Sequence, residues 1–579
     1  MEAEVVRVFE LNIPQEKDVA KELSELCSVY SITPDNLKFK WEAFALNSGC
    51  SIKPTIPYIK HLRNSLKREF DRSVKARKTT TGKVVTKRTQ GFDLSDYGIA
   101  QTKQEDSVDD FMSSMLGSMA PKHHKVIPTP TTQVSDTQIS SVSSQFLTRK
   151  AAHMIESQYH PELPLIEKTN EALPEIHFSH LQYPVQEYRY MFEKIKERAD
   201  TLDERIEYIG SLIAAAHQVP LESFSNPTRP NQESIYTYGR ICSDVQSESE
   251  GRLNERSVML QTSKELGMGR RVKLDLAGLD RYSLFPGQIV GLYGRNALGD
   301  VFFVERLLMP PMPEKYQLTS VQHSRPLEMI VAAGPFTLND DLSFQPLEDM
   351  LQMCATQKPD VVLLMGPFIS SQHPRLLSGK IETLPEQLFV EQIGRRLEQL
   401  VESLPQTHVL LMPHQDDIIH MYPLFPQPAF PDLIKHQRIH MLSNPSAIGI
   451  NDHTIAVGHV DILFRLAREE ISRNPHGAQV DRMQTLVQHV LEQHTFYPLF
   501  PHAIGDSIDS SQLHHIQLSR KPDLLILPSQ LKHFTKDVQG TVCINPGHLC
   551  KGLSSGTYAR VTMYPKNENS NMRVDLFKL

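Results

Sequence analysis

Cysteine is scarce and scattered: Cys27, Cys50, Cys242, Cys354, Cys543 and Cys550 are six in 579 residues. They form no C-x-x-C pair and no dense framework, which argues against a disulfide-stapled secreted scaffold and for a reducing compartment. No run of about 18 apolar residues occurs, so no transmembrane helix is expected. The N-terminus MEAEVVRVFELNIPQ lacks a basic stretch followed by an apolar one, so no secretory signal is expected. Positive charge is not in surplus either. A formal net charge of -7 argues against a generally basic nucleic-acid binder and leaves room only for a local basic patch. A Ser-His-Asp triad stays open on the sequence, but no G-x-S-x-G nucleophile elbow is read in it.

What is present is enough for several cores, because a chain of this length outgrows a single one. Residues 1–75 read as helical: the apolar positions of VAKELSELCSVYSI recur at spacings of three and four, and Thr33-Pro34-Asp35 starts a further helix. A third helix is expected in IPYIKHLRNSLKREFDRSV. From 76 to 160 the chain is rich in Thr, Ser, Lys and Gln, which predicts a disordered tether. Residues 60–88 hold eleven Lys/Arg against two acids. They read as a solvated face running into a polar linker, or as a nuclear-import or nucleic-acid patch. Thr129-Pro130 in the tether is a candidate phosphorylation site.

Order is expected again from about 165, with a helix over 186–218. Five short strands then follow: IYTYGRICSD, SVMLQTS, RVKLDLAG, QIVGLYGRN and FFVERLLM. They predict a small barrel of the OB type, so that 161–325 holds a helical lead-in and an OB domain. From 326 to 579, apolar strands (EMIVAAGPF, DVVLLMGPF, HVLLMPH, TIAVGH, DLLILPS, GTVCINPG) alternate with helical stretches, the pattern of an α/β layered domain. The fold class is thus multidomain α+β.

Few constellations carry chemistry. IVGLYGRNALGD has glycines at 291, 294 and 299 but no Gly-Lys-Ser/Thr ending, so it reads as a strand and turn rather than a phosphate loop. The C-terminal strands end where a binuclear metallophosphoesterase keeps Asp-x-His, Gly-Asp, Gly-Asn-His-Asp and Gly-His-x-His to hold two metals. Here those places carry Gly334-Pro335-Phe336, Gly366-Pro367, His414-Gln415-Asp416-Asp417 and Pro528-Ser529-Gln530-Leu531. His414, Asp416, Asp417 and His420 form a local cluster that is either a one-metal site or a polar loop. His494 is either a leftover ligand or a packing histidine. Cys543, His548 and Cys550 lack the fourth ligand and tight pairs of a structural zinc. The expectation is therefore no catalytic residue, no metal site and no cofactor.

An OB barrel feeding a phosphoesterase-like domain stripped of ligands resembles the B subunits of eukaryotic replicative DNA polymerases. The resemblance is closest to the B subunit of the DNA polymerase alpha–primase complex, and covers roughly 230–579. It is carried by GRICSDVQSESEGRLNERSVMLQ, LDRYSLFPGQIVGLYGRN, VAAGPFTLNDDLSFQPLEDML, PDVVLLMGPFIS, FYPLFP and PDLLILPSQLKHFTKDVQGTVCINPGHLCKGLSSGTYARV. It implies a nuclear, non-catalytic scaffold with an inactive calcineurin-like phosphoesterase domain. It implies binding to the C-terminal domain of the catalytic polymerase subunit, in one complex with the small and large primase subunits, supporting primer synthesis at initiation and on the lagging strand. It also implies an N-terminal domain that docks other replication proteins, contact with DNA that is indirect, and no membrane. A B subunit of another replicative polymerase, or a residual metal-dependent phosphoesterase, stays open at this point. The stretch MYPLFPQPAFPDL (421–433) is expected to present exposed aromatics to a partner.

Overall fold

The computed structural model describes residues 2–9, 17–30, isolated positions between 33 and 62, residues 146 and 149, then 152–166, 176–244, 252–316, 326–475, 480–565 and 572–579. It divides into two compact units, Met1–Gly91 and Phe92–Leu579. In the first, helices α1 (Glu2–Phe9) and α2 (Lys17–Tyr30) accompany a core of Ala20, Leu23, Leu26, Cys27, Leu37, Trp41, Ile59 and Leu62. Positions 20, 23, 26 and 27 fall on one face because they sit three and four apart. Of the expected third helix only Ile59 and Leu62 are described, both helical; the rest of it, the rest of the basic stretch 60–88 and most of the tether, Thr129 included, lie outside the described residues.

The tether was expected to reach residue 160, and the structure places a strand before that point. Strand β1 (Ile155–Tyr159) pairs antiparallel with the last strand of the chain. Strand β2 (Phe178–His180) likewise joins a C-terminal sheet, so the lead-in to the barrel belongs in part to the phosphoesterase-like domain. The helix expected over 186–218 is α3 (Ile195–Ala216). Residues 186–194 are not helical: Met191 has φ 62°. Tyr188 is also held away by a reciprocal pair, its N–H donating to Tyr422 Oη (3.0 Å) and Tyr422 Oη donating to its carbonyl (2.9 Å).

The barrel closes in the order β3 (Asn231–Ser243), β4 (Val258–Gln261), β5 (Arg271–Asp275), then β8 (Val301–Leu308) and β7 (Ile289–Asn296). Its interior is filled by Ile241, Val258, Leu260, Val272, Leu274, Val290, Leu292, Phe302 and Val304. The alternate positions 272/274, 290/292 and 302/304 share that interior because strand side chains repeat every two residues. Helix α3 lays Ile206, Ile209 and Ile213 on the outside of the barrel against Tyr238, Ile289 and Leu308. Of the glycine stretch, Gly291 and Gly294 lie in β7 and Gly299 in the turn after it, where Asn296 Oδ1 accepts from Gly299 N at 2.7 Å. Strand β6 (Tyr282–Leu284) leaves the barrel.

The C-terminal part is a β-sandwich between helices. Strands β9 (Leu327–Ala333), β10 (Val361–Met365), β11 (His408–Met412) and β12 (Ile439–Met441) run parallel in one sheet. The second sheet contains β13 (Ser446–Ile450), β14 (His453–Val457), β16 (Leu524–Ile526), β17 (Phe534–Val538) and β18 (Thr541–Asn545), with β2 at its edge. Strand β15 (Ile471–Arg473) pairs with β6. A small hairpin, β19 (Cys550–Lys551) and β20 (Ser554–Ser555), precedes β21 (Thr557–Met563) and β22 (Met572–Lys578), which extend the first sheet to β1. Odd positions of β9 and β10 (Met329, Val331, Leu363, Met365) face the second sheet. The even ones (Ile330, Ala332, Val362, Leu364) face helices α4 (Gln345–Gln357) and α5 (Arg395–Ser403). Both faces are buried, which is why these strands read as unbroken apolar runs. Helices α6 (Ile462–Glu469) and α7 (Arg482–Glu492) cover the other sheet.

The barrel and sandwich share a polar seam. Strand β6 of the barrel region pairs antiparallel with β15 of the sandwich region. Gln493 clasps Ile289: its Oε1 accepts from Ile289 N and its Nε2 donates to Ile289 O, both at 2.9 Å. Arg473 Nη1 donates to the carbonyls of Leu276 and Leu279 at 3.2 and 3.3 Å.

Candidate functional site at the strand ends

The carboxyl ends of β9, β10, β11, β14 and β16 converge where a phosphoesterase would hold metal. After β9 and β10 the peptides Gly334-Pro335 and Gly366-Pro367 are cis. Gly366 is required by close approach: a Cβ there would lie 2.1 Å from Asp417 Oδ2 and 3.0 Å from His414 N. Asp417 is thereby drawn under the β10 loop. Its Oδ1 accepts from Phe368 N (2.5 Å) and Ile369 N (3.1 Å), and its Oδ2 accepts from His414 N (2.9 Å). Burial pushes its pKa up to about 7, against three N–H donors that favour the anion.

Asp417 thus joins two loops rather than offering oxygens to a metal. The other members of the local cluster are used in the same way. His414 Nδ1 accepts from Asp416 N at 3.1 Å. His420 donates through Nε2 to Pro428 O (3.0 Å) and accepts at Nδ1 from Tyr422 N (3.2 Å). His494 donates to Pro311 O at 2.8 Å, at the seam with the barrel. Cys543 packs in the core beneath α6 and α7, and Cys550 in the core beneath α4 and α5, so the Cys543–His548–Cys550 stretch does not converge. Among the described residues, no three His, Cys, Asp or Glu side chains are placed to hold a metal ion. The two glycine–proline loops contribute no ligand, and both Asp417 oxygens are taken. The donors present do not fit a binuclear centre.

Of two further histidines at this site, His548 is named from sequence only beside Cys543 and Cys550, and His459 is not named there at all. His459, at the end of β14, donates from Nε2 to Gly366 O (2.5 Å), and its N–H donates to Asn444 Oδ1 (2.9 Å). Asn444 Nδ2 in turn donates to His459 O at 3.0 Å. The ending Gly458-His459 of TIAVGH carried the signal. His548 donates from Nδ1 to Gly334 O at 2.7 Å. So the β9 loop is held by one histidine and the β10 loop by another. The rings of His414 and His459 lie 4.5 Å apart. Burial holds His414, His459 and His548 below the usual imidazole value, His459 well below it.

The serine elbow needs a correction too. The spacing G-x-S-x-G does occur, at Gly552–Gly556. There it spans the β19–β20 hairpin and leads into strand β21, so it lacks the strand–turn–helix frame of a nucleophile elbow.

A pH dependence follows from the histidines. A His with a depressed folded pKa keeps its contribution above its unfolded value, about 6.5, and loses it as pH falls below that. Asp417 acts oppositely, because its folded pKa is raised from 3.8 to about 7. The difference between wild type and His459→Gln isolates one group. Below pH 6.5 the wild-type unfolding free energy should fall more steeply than the variant's, by up to about 1.4 kcal/mol per pH unit. Urea melts between pH 5 and 7.5 measure this, and parallel curves would show that His459 titrates freely.

The class is now defined: an OB barrel fused to a calcineurin-like phosphoesterase fold whose strand-end loops are closed on themselves. Family comparison agrees with each half. Residues 199–310 match the family model for the OB domain of the DNA polymerase alpha B subunit, and residues 329–536 match that for the DNA polymerase alpha/epsilon B subunit. The DNA polymerase alpha B subunit of Schizosaccharomyces pombe is 30% identical over 96% of this chain and 95% of its own length. That of Rattus norvegicus is 28% identical over 99% and 97%. That of Mus musculus is 32% identical over 65% and 62%. Among solved structures, Vacuolar Protein Sorting 29 from Cryptosporidium parvum matches over 44% of this chain and 98% of its own, at 10% identity and a TM-score of 0.20. This chain belongs to the family of DNA polymerase alpha B subunits.

Proposed function

We propose that the chain is a nuclear, non-catalytic accessory subunit of the DNA polymerase alpha–primase complex. In this reading it binds the C-terminal domain of the catalytic subunit and supports primer synthesis by holding the polymerase and primase subunits together. The observation that carries it is Asp417: this carboxylate, buried beneath the strand ends, serves three backbone N–H groups instead of a metal. In this reading the closed loops perform no chemistry, and their frame serves as a rigid shaped surface. The barrel–sandwich seam supports the same reading, because a scaffold must hold its faces in fixed relation.

The stretch 421–433 does not present the exposed aromatics expected from sequence. In 421–433 only Met421 is strongly exposed among the large apolar residues, at 70%; Tyr422, Leu424, Phe425 and Phe430 are buried. Phe430 packs edge-on against Phe368 in the core. Exposed apolar side chains occur instead in the lead-in, with Tyr183 at 89% and Ile195 at 90%. Tyr190 Oη reaches Met421 O at 3.3 Å, so the two stretches adjoin. Such a patch suits a protein interface. The N-terminal unit is read as a docking module for other replication proteins.

Mixing the full chain with the C-terminal region of the polymerase alpha catalytic subunit should give a one-to-one complex that survives gel filtration. No complex with a folded chain, or phosphodiesterase activity lost on changing Asp416 and Asp417, would overturn the reading.

A further inference from the structure

A second constellation lies away from the strand ends, where α3, the barrel and the segment 495–513 meet. A cavity of about 40 Å³ there is lined by Arg198, Arg205, Arg240 and His502, and by no Asp or Glu. The three arginines come from two elements. Arg198 and Arg205 are seven residues apart on α3, hence on one face, and Arg240 comes from β3.

Their partners inside the protein are almost all neutral. Arg205 Nη2 donates to Gln493 O at 2.6 Å. Arg240 Nη2 donates to Leu202 O at 3.0 Å, and its guanidinium lies 4.8 Å from the centre of the Phe500 ring. Arg240 is 5% exposed, yet its Nε–H meets no acceptor. Arg198 Nη2 donates to His502 Nε2 at 3.1 Å; its contact with Glu193, outside the lining, is 3.8 Å. The nearby acids are engaged elsewhere: Asp200 with Lys264 Nζ, and Asp203 with Lys264 N at 2.8 Å.

For Arg240 the carboxylate of Asp203 acts only through space, and a buried guanidinium with no carboxylate in direct contact is costly, as is its unmet N–H. Burial lowers the pKa of both Arg205 and Arg240 to about 10, which leaves both charged at neutral pH. A bound oxyanion would remove both costs. Arginine's planar fork matches carboxylate and phosphate oxygens, and charge-assisted bonds of this kind are strong. The cavity is too small for a base or a sugar.

We infer that the cleft between Arg198, Arg205 and Arg240 is a binding site for a single oxyanion, the phosphate or carboxylate group of a ligand that inserts only that group. It makes no use of the strand-end site and does not depend on the scaffold reading.

The test is thermal unfolding of the full chain in sodium phosphate and in sodium acetate, each against sodium chloride at equal ionic strength. Saturable stabilisation is expected in wild type. In Arg240→Gln the concentration for half-effect should rise at least tenfold. Arg198→Gln, at a side chain 37% exposed, should show the same direction and keeps the test sound if the buried variant does not fold. Phosphate acting alone would identify a phosphoryl ligand, and acetate acting equally well a carboxylate side chain or metabolite. No saturable effect of either anion, or equal effects in wild type and Arg198→Gln, would overturn the inference.

Discussion

Changing Gly287 to alanine is expected to destabilise the chain by about 3 kcal/mol or more, mainly by forcing the barrel off the sandwich. Gly287 has φ +97°, where an L side chain is strained. A Cβ would also lie 2.2 Å from Phe500 N and 2.7 Å from Pro498 O. Those neighbours are backbone, so no rotamer change relieves the clash. Phe500 N donates to Pro286 O at 3.1 Å, and Gly287 N to Ile241 O at 2.8 Å. One extra carbon therefore strains two ties at once, one within the barrel and one across the seam. The seam clasp of Gln493 on Ile289 is next to it in sequence. Differential scanning calorimetry should show wild-type unfolding of the Phe92–Leu579 unit as one transition and the variant as two, the barrel melting first. A single transition shifted by less than about 1 kcal/mol would mean that the seam yields easily.

Asp417→Ala is expected to cost about 3–5 kcal/mol, since three buried N–H donors lose their acceptor together. The loops after β10 and β11 should loosen without loss of the sheets. Asp417→Asn should be intermediate. Its carbonyl can still serve Phe368 and Ile369, but its amide would face the His414 N–H as donor against donor. Urea melts give the stability, and amide exchange at Phe368, Ile369 and His414 locates the loss. If Asp417→Ala folds with near-wild-type stability and exchange, water replaces the carboxylate freely and the closed-loop description fails. The same variants test the proposed scaffold role: at temperatures where they remain folded, partner binding should persist if those loops do not touch the partner.

The layered α/β sandwich was legible because its inner parallel strands are near-continuous apolar runs, such as Val361–Met365 and Val409–Met412, a pattern typical of strands covered on both faces. The barrel was legible from short alternating strands. At the strand ends, Gly334-Pro335 and Gly366-Pro367 declare from sequence alone that two ligand positions hold no ligand. His414, Asp416, Asp417 and His420 stayed ambiguous because the same side chains serve a metal or a polar loop. The choice depends on which N–H groups the fold brings within reach.

The rest was decided by contacts between distant segments. Aromatic and proline content cannot say whether 421–433 faces solvent, and the Tyr188–Tyr422 pair and the Phe368–Phe430 packing turn it inward. The tether's end was misplaced because β1 is mostly exposed, and its strand identity comes from pairing with β22, at the far end of the chain: Tyr159 opposes Val574. The arginine cleft has no sequence signature at all, since Arg198, Arg205 and Arg240 are unremarkable on their own elements. Composition, periodicity and strand-end residues are local quantities, and they determined the class of fold and which residue types stand at its strand ends. Which polar group meets which partner, and which charge is left without one, depends on through-space distances that only the packed chain sets.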